Sequence, residues 1–417
     1  MTSFEVSSGV GSDTGGSTDR GVKYTRSAMD VSVRVIRTTD ELDPIRGVWA
    51  NWCKNPEADV DLFLLSAEAD SKVIRPHVIV VFRNGTPDCM LVGRLDTGFQ
   101  KMKVGYATVF RPYIRRLVFL SGGYLGNQTQ ENSALVVTEI CKSLKSGEAD
   151  CAELRQVPLE SSLFMEARTR PGFFLRQHFR TEYVHRYLEL PDSFEDYLQA
   201  LPRKQRHEAR RHARLLGKDF PQGTHIHCYR NEQEIGQLAE DVKKVHATSY
   251  QGNLGVGYSD SEGTRARLRA AARKDVLRGC VLYVSKEPVA YFIGFKFQET
   301  LFGQVLGFNP QFQKYSPGLQ ILLHAIEESC EPAAGVNVVD LGWGDRYYKQ
   351  AVCNRSSMQS PVQVFAPTWK GLRLNVEKSL VAWFDTRLKR WLALAGITDY
   401  VRKLWQLFAV RKSHIKA

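Results

Sequence analysis

Three side chains that could transfer protons or hold an anion follow a glycine-containing segment late in the chain. In DLGWGDRYYKQAV, Asp345, Tyr348 and Lys349 come shortly after two glycines that flank Trp343. A carboxylate, a phenol and an ammonium that leave the end of a strand together can move protons or bind an anion. A polar loop closed by a salt bridge would have the same sequence, so both interpretations stay open at this point.

A second candidate site, for phosphate, lies earlier at Ser316, Pro317 and Gly318. These residues begin SPGLQILLHAIEESC, whose apolar spacing predicts a helix. Ser316 suits the N-cap, Pro317 suits the first helical turn, and Gly318 allows another group to approach the backbone closely. Free N–H groups and the helix dipole would favour a pyrophosphate there, although a well-capped helix alone explains the same residues.

The segment LPRKQRHEARRHARLLGK, residues 201–218, concentrates positive charge. Its arginines recur at three- and four-residue spacing, so a helix would place Arg203, Arg206, Arg210 and Arg214 on one face. Guanidinium groups suit phosphate, so this face is either a wall for an anionic, nucleotide-linked acceptor or for CoA, or simply a solvated surface. No helix-turn-helix or zinc-finger pattern is present, and specific nucleic-acid binding is not expected.

Strands and helices alternate along the chain, which predicts an α/β fold with mixed sheets. In the first half, strands are predicted at VSVRVIRT, HVIVVFRN, CMLVGRLD, RRLVFLSGG and CAELRQV. The second half begins near Tyr183 with YVHRYLEL and ends its ordered pattern at VNVVDLGWG. The predicted boundaries are a disordered leader at 1–28, a first half at 29–182, a second half at 183–366 and a basic amphipathic helical tail at 367–417.

Composition narrows the class of protein. A chain of 417 residues with 43% hydrophobic and 24% charged residues is typical of two globular domains. The net charge of +12 favours anionic partners without choosing among them. No secretory or transmembrane segment is seen, and the eight cysteines form no CxxC pair. We therefore expect a cytoplasmic protein with free thiols, no metal site, and His225 and His227 as ordinary strand residues.

The tail WKGLRLNVEKSLVAWFDTRLKRWLALAG carries an apolar stripe at helical spacing. A second helix is predicted near Asp399. Basic residues with tryptophan are typical of an interfacial membrane helix, so contact with the inner membrane surface is one interpretation. Packing on the body of the protein explains the same pattern and is the interpretation favoured here. The stripe consists of Leu372, Val376, Leu380, Phe384, Leu388 and either Trp391 or Leu392, and the second helix would carry Tyr400, Leu404 and Phe408.

Taken together, several segments resemble CelD-like acyltransferases of the GNAT fold, a group related to the Fem peptidoglycan aminoacyltransferases. The resemblance rests on YSPGLQILL followed by DLGWGDRYYK, on the basic segment, on HATSYQGNLGVGYSD and on VLYVSKEPVAYFIGF. It covers residues 183–365 well and the first half less specifically. It implies tandem GNAT-like (acyl-CoA N-acyltransferase) halves with a C-terminal helical tail, of which the first half is degenerate.

The resemblance also implies where an acyl donor would bind. The pantetheine arm of acyl-CoA would lie between the strands FGQVLGF and VNVVDLGW, with the pyrophosphate at the helix that opens at Ser316. QKYSPG replaces the usual Arg/Gln-x-x-Gly-x-Gly/Ala phosphate loop and has one glycine. This departure leaves acetyl-CoA, another acyl-CoA and aminoacyl-tRNA as alternative donors. The expected donor-site residues are Gly307, Tyr315, Ser316, Pro317, Gly318 and Leu319.

The expected reaction is transfer of an acyl group to an amine, or a hydroxyl, of a sugar-type acceptor in polysaccharide or cell-envelope biosynthesis. Acyl-CoA, such as acetyl-CoA, would be a co-substrate, with no tightly bound cofactor. Asp345 would be the base, Tyr348 the acid, and Lys349 would stabilise the oxyanion. The expected acceptor residues are Arg203, Arg206, Arg210, His246, Tyr250 and Gln251. Two alternatives remain: a Fem-like transferase that uses aminoacyl-tRNA, and a GNAT-fold module that binds without catalysis.

Overall fold

The chain folds into one large mixed sheet with helices on both faces. This computed structural model describes residues 30–394, except 106, 222 and 254–256. Thirteen strands join in the main sheet, and two more form a separate hairpin. The predicted α/β class with mixed sheets is confirmed. The predicted leader at 1–28 and the predicted second tail helix lie outside the described residues.

The elements of the first half agree with the predicted order, with a second short helix and a small hairpin added. Its strands are β1 (Val31–Ile36), β2 (Val73–Pro76), β3 (Val78–Arg83), β4 (Thr86–Phe99), β5 (Met102–Val104), β6 (Ala107–Phe110), β7 (Tyr113–Gly126) and β8 (Cys151–Pro158). Its helices are α1 (Asp43–Trp52), α2 (Val60–Ala69), α3 (Gln130–Lys145) and α4 (Ser162–Thr169).

In the second half, the predicted elements are again present, and a last strand follows the loop after VNVVDLGWG. Its strands are β9 (Tyr183–Glu189), β10 (Thr224–Tyr229), β11 (Leu277–Val284), β12 (Glu287–Phe297), β13 (Thr300–Phe308), β14 (Val338–Trp343) and β15 (Arg355–Phe365). Its helices are α5 (Phe194–Ala200), α6 (Arg203–Asp219), α7 (Ile235–Thr248), α8 (Tyr250–Asn253), α9 (Glu262–Arg273), α10 (Pro317–Cys330) and α11 (Tyr347–Val352). The tail forms α12 (Trp369–Leu394).

One strand joins the two halves into a single sheet. The order is β1-β3-β4-β7-β8-β15-β9-β14-β13-β12-β11-β10, with β2 paired to β4. β15 pairs antiparallel with β9 through its first residues and with β8 through its later ones. The mixed sheet expected in each half is therefore one shared sheet, and the two halves are held together by backbone hydrogen bonds.

The parallel strands β13 and β14 separate soon after they meet. They pair at three positions, the last of which joins Phe302 to Asp340. β14 then pairs with β9, while β13 continues beside β12 to Phe308. This opening confirms the splayed pair predicted at FGQVLGF and VNVVDLGW. In the first half, β7 and β8 form a similar short parallel pair, which ends at Phe119 and Leu154.

Apolar residues of the second half fill both faces of the sheet. α10 buries Ile321, Leu322 and Ile326 against one face. α7 covers the other face with an apolar stripe that is fully buried and consists of Ile235, Leu238, Val242 and Val245. Each such side chain removed from water contributes roughly 1.5–3 kcal/mol before the entropy cost of folding. The core therefore holds α10 firmly above the strands whose separation opens the cleft.

The tail helix packs on the body through a face that the sequence did not predict. Leu374 and Val381 are buried, and the amide of Asn375 donates to the carbonyl oxygens of Phe174 and Arg176 at 2.8 and 3.1 Å. These polar contacts fix the rotation of α12 about its axis. The spacing of apolar residues in a sequence does not predict such polar contacts. The prediction that the tail helix packs through its apolar stripe is wrong.

Much of the predicted stripe faces solvent instead. Val376, Leu380 and Phe384 are 59%, 49% and 54% exposed, and Leu388 and Trp391 are exposed as well. Within the described ranges, no helix has an apolar stretch long enough to cross a membrane.

Candidate functional site

A cavity of about 360 Å³ lies beside the separated end of β13. Its walls come from β13, the start of α10, the inner face of α6, and α11, with a contribution from the region of α8. β14 stays paired with β9 along its length but pairs with β13 only as far as Phe302, so the edge of β13 has no neighbour from β14 beyond that residue. Side chains of the surrounding helices line the gap that results.

Four of the six residues predicted for the donor site line this cavity: Gly307, Ser316, Gly318 and Leu319. Pro317 is buried in the first turn of α10, as its sequence position predicts. Tyr315 is also buried, but it is not part of the cavity wall. Its hydroxyl donates to a carboxylate oxygen of Asp219 at 2.7 Å, which ties the start of α10 to the end of α6.

Ser316 begins α10 with a backbone that differs from an ordinary N-cap. Its φ and ψ are 48° and 51°, in the left-handed region, and its side chain makes no capping bond. Its carbonyl oxygen accepts the N–H groups of Leu319 and Gln320 at 3.0 and 3.1 Å. Since Pro317 has no N–H, the N–H of Gly318 is the first-turn donor left free for a ligand among the described atoms.

The two faces of α6 carry different chemistry. Arg203, Arg206 and Arg210 lie on its outer face, on a basic surface shared with Lys204, His207, Arg211 and Arg214, and Glu208 borders both this surface and the cavity. The cavity is lined instead by Gln205, Glu208, Ala209 and His212. The structure therefore places the predicted arginines on α6 but outside the cavity.

Three polar residues of this inner face were missed by sequence reasoning. Nδ1 of His212 lies 3.1 Å from the carbonyl oxygen of Lys314, so Nδ1 must be the protonated nitrogen and Nε2 of the neutral ring is an acceptor. Glu208 is half-buried and has no ion-pair partner in the described part of the chain. The buried amide oxygen of Gln205 likewise has no hydrogen-bond donor there. The spacing of 205, 208 and 212 within the arginine run is the signal that could have found them.

The predicted catalytic residues do not lie together. Tyr348 lines the cavity, and burial raises the pKa of its phenol, which therefore stays protonated. Asp345 lies outside the cavity wall, where Nε and Nη2 of Arg186 donate to Oδ1 at 2.9 and 2.5 Å. Those bonds lower the pKa of Asp345, so its carboxylate is a weaker base than an unpaired one.

Lys349 is buried and holds the loop that follows β14. Its ammonium donates to the carbonyl oxygens of Leu341, Gly342 and Trp343. Loss of hydration lowers the pKa of Lys349 to about 8. With its donors directed at the backbone, Lys349 shapes the loop and does not line the cavity.

The segment HATSYQ contributes two residues to the cavity, Ser249 and Gln251. Nδ1 of His246 lies 3.0 Å from the hydroxyl of Tyr291, and burial lowers the pKa of this histidine. Tyr291 in turn packs on Gly307, where an added Cβ would come within 2.6 Å of the ring. Tyr250 begins α8, and its side chain lies outside the described part of the structure.

A second cavity, of about 210 Å³, lies where the halves meet, and a buried histidine–aspartate pair lines it. Nε2 of His185 lies 2.5 Å from Oδ1 of Asp340, and Nδ1 lies 3.0 Å from Oε1 of Gln359. Trp343 donates to the same amide oxygen at 2.7 Å, which identifies that oxygen as an acceptor. Both ring nitrogens of His185 thus lie within hydrogen-bond distance of side-chain oxygen atoms.

Comparison with known proteins supports a GNAT-type acyltransferase. Residues 203–350 match the family model described as an acetyltransferase (GNAT) domain. This segment is about a third of the chain and contains α6, the cavity residues and the loop after β14. No curated protein matches the chain by sequence.

Solved structures share the fold at low sequence identity. FemX is similar with a TM-score of 0.50 and 9% identity, over 80% of this chain and 97% of FemX. The C-terminal domain (DUF2156) of a putative lysylphosphatidylglycerol synthetase from Agrobacterium fabrum has a TM-score of 0.49 and 10% identity, over 82% of this chain and 96% of that chain. A tandem GNAT protein from the clavulanic acid biosynthesis pathway has a TM-score of 0.48 and 11% identity, over 81% and 99%. The likeness to FemX concerns the fold alone.

Proposed function

We propose that the chain is an acyl-CoA-dependent acyltransferase whose donor binds in the cavity beside β13. The observation that carries this proposal is the separation of β13 from β14 after three residue pairs, beside the start of α10. A strand edge that has lost its neighbour offers unpaired backbone groups. The two amides of a pantetheine arm can pair with such groups, and the arm would then lie along β13.

The donor phosphates would lie at the start of α10. Ser316 and Gly318 line this end of the cavity, and the helix dipole favours negative charge there. Arg346 in the same wall supplies positive charge where a glycine-rich loop would supply backbone N–H groups. Side chains therefore take a larger share of phosphate binding here than backbone N–H groups do.

In the proposed reaction, the acceptor amine attacks the thioester carbonyl, a C–N bond forms, and the C–S bond breaks. Glu208, in the cavity wall and without an ion-pair partner among the described residues, takes the proton that the amine loses. Tyr348, whose raised pKa keeps it protonated, gives a proton to the leaving thiolate. Solvent then returns both groups to their starting states. Asp345 and Lys349 would act indirectly, by holding the loop that presents Tyr348.

For the acceptor, we propose an anionic sugar or nucleotide-linked amine, or less readily a hydroxyl, of the kind used in cell-envelope polysaccharides. The outer face of α6 supports this choice, because Arg203, Arg206 and Arg210 lie on the helix whose inner face lines the cavity. Guanidinium groups hold phosphate or carboxylate through paired hydrogen bonds.

A second candidate donor is aminoacyl-tRNA, and one observation favours it. Such a donor carries a free ammonium next to the reacting carbonyl, and the Glu208 carboxylate in the cavity could pair with that ammonium. The basic outer face of α6 would then bind RNA phosphates. A CoA pyrophosphate, by contrast, would be repelled by Glu208 unless it lies nearer Arg346 and Gly318.

Titration calorimetry with CoA and with acetyl-CoA tests the main proposal on the full chain. We expect saturable binding of one CoA per chain and acetyl transfer to an amino-sugar acceptor. Binding of aminoacyl-tRNA without binding of CoA would favour the second candidate. Saturable CoA binding without turnover on any acceptor would indicate a binding module instead.

The exposed face of α12 supports a further element of the proposal, contact with an anionic membrane surface. Trp383, Phe384 and Leu388 are exposed on this helix, and Arg387 and Arg390 lie among them. Apolar residues flanked by cations are typical of helices that lie in the lipid interface.

A further inference from the structure

Four potential metal ligands lie close together on β10, β11 and α10, the helix whose first turn lines the cavity. Cys228 of β10 and Cys280 of β11 are directly opposite each other in the antiparallel register, and their Sγ atoms lie 2.9 Å apart. His324 and Glu328 stand one turn apart on α10, so both reach the same point of the sheet. One ligand atom of each residue lies within 4.8 Å of all the others.

The distances suit a small tetrahedral ion. Sγ of Cys228 lies 3.4 Å from Nε2 of His324, Sγ of Cys280 lies 3.8 Å from Oε2 of Glu328, and the histidine nitrogen lies 4.0 Å from Oε1 of Glu328. Zinc bonds of ~2.0–2.3 Å place neighbouring ligand atoms roughly 3.3–3.8 Å apart. Two of these contacts already lie in this range. The histidine and glutamate atoms must approach each other by roughly 0.2–0.7 Å, and the two sulfur atoms must separate by roughly 0.8 Å.

We propose that Cys228, Cys280, His324 and Glu328 form a structural zinc site. Two thiolates, an imidazole and a carboxylate are ligands that Zn²⁺ accepts, and four protein ligands make a closed, structural site. With neutral histidine, the ligands carry three negative charges, so the bound site has a net charge of −1. Arg230 offsets this charge, because its Nη2 donates to Oε1 of Glu328 at 2.9 Å.

The outer contacts orient His324 for the ion. Its Nδ1 lies 3.9 Å from a carboxylate oxygen of Glu327, which leaves Nε2 directed at the two sulfur atoms. The other histidines of β10 take no part: His225 stacks on Tyr283, and His227 lies 3.4 Å from Glu234. A bound ion would link the paired strands β10 and β11 to α10 and so fix the helix whose first turn lines the cavity.

Metal content of the full chain tests the site without reference to activity. The protein is purified without chelator and dialysed, and zinc is measured by plasma mass spectrometry. We expect about one zinc per chain, and loss of most of it in Cys228→Ser and His324→Asn. Cys330→Ser is the matched control, since Cys330 is a half-buried thiol on the same helix but outside the group, and it should keep its zinc.

Cobalt gives a second readout that does not depend on the variants folding. Zinc-free wild-type protein titrated with Co²⁺ should show thiolate-to-metal charge transfer and the visible bands of a tetrahedral ion. Wild-type protein that binds neither Zn²⁺ nor Co²⁺ stoichiometrically overturns the proposal. A Cys228–Cys280 disulfide that persists in protein purified under reducing conditions, seen as the loss of two hydrogens in the intact mass, overturns it as well.

Discussion

Nε2 of His185 and Oδ1 of Asp340 lie 2.5 Å apart near the centre of the sheet, although 155 positions separate the residues in the chain. The pair joins β9 to β14 at the residue where β14 leaves β13. Gln359 of β15 and Trp343 complete the hydrogen bonds. This buried pair therefore lies at the strand separation on which the proposed donor cleft depends.

The first prediction concerns this pair. His185→Leu leaves the Asp340 carboxylate buried without its partner, which should lower the free energy of unfolding by ~3–5 kcal/mol. Urea denaturation measures the change, and His225→Leu, at an exposed strand histidine, is the control, with an expected loss below about 1 kcal/mol. Equal losses in the two variants would contradict the role given to the buried pair.

The second prediction concerns the donor phosphates. Gly318→Asp places a carboxylate beside the free N–H at the start of α10, and it should weaken CoA binding by about tenfold or more, or at least ~1.4 kcal/mol. Gly236→Asp is the matched control, because Gly236 is a helical glycine with open space around it, far from the cavity wall. If calorimetry gives the same CoA affinity for folded Gly318→Asp and wild type, the donor does not bind there.

The third prediction separates the cavity residues from the loop residues. Glu208→Gln and Tyr348→Phe should each lower single-turnover rates by roughly 10²–10⁴, the usual range for a lost proton-transfer group. Asp345→Asn removes a solvent-exposed ion pair and should change the rate less than about fivefold. A large loss of rate in Asp345→Asn, with normal rates in the other two variants, would indicate instead that Asp345 in the loop after β14 is the base.

Lys349 gives a related prediction about stability. Lys349→Met removes the ammonium that joins three carbonyl oxygens, and it should lower the melting temperature while CoA affinity stays near that of wild type. Differential scanning fluorimetry and calorimetry on the same sample check this. A variant with normal melting temperature and abolished turnover would show instead that Lys349 acts on the substrate.

The fourth prediction is a pH dependence in the first half. Arg37 and Arg75 bind Glu148 and lower its pKa to about 2. Because the folded pKa lies below the unfolded value of ~4.3, this group stabilises the protein above that value and loses its effect as pH falls to about 2. Glu148→Gln should thus cost on the order of 2 kcal/mol at pH 7, with a difference from wild type that shrinks between pH ~4 and ~2.

Denaturant titrations at several pH values measure the Glu148 effect. Glu160→Gln is the control, because Glu160 is exposed and has no salt bridge within the described ranges. A difference between wild type and Glu148→Gln that stays constant down to pH 2 would mean that the ion pairs do not account for it.

The fifth prediction concerns the exposed face of α12. Wild-type protein should cosediment with vesicles that contain phosphatidylglycerol. Trp383→Ser combined with Phe384→Ser should reduce the bound fraction about tenfold or more, because two aromatic rings no longer enter the interface. Met165→Ser, at an exposed apolar residue of α4, is the control. Equal vesicle binding by all three proteins would exclude α12 as the contact.

Local signals in the sequence were enough for the order of the elements. The start of α10 was predicted because apolar periodicity and Pro–Gly signals act within a few residues. The opening between β13 and β14 was expected from the family resemblance. Six of the residues named from these signals and from the resemblance line the cavity: Gly307, Ser316, Gly318, Leu319, Gln251 and Tyr348.

Tertiary structure alone decided which side chains face each other. The spacing of the arginines correctly predicted that they share one face of α6. The face of α6 that lines the cavity is a different one, and it carries Glu208 and His212. Asp345 is paired with Arg186, which lies in β9 at the other end of the second half. In the same way, Cys228 meets Cys280 across two strands. Such contacts depend on strand register and helix rotation, which are set by packing between segments far apart in the chain.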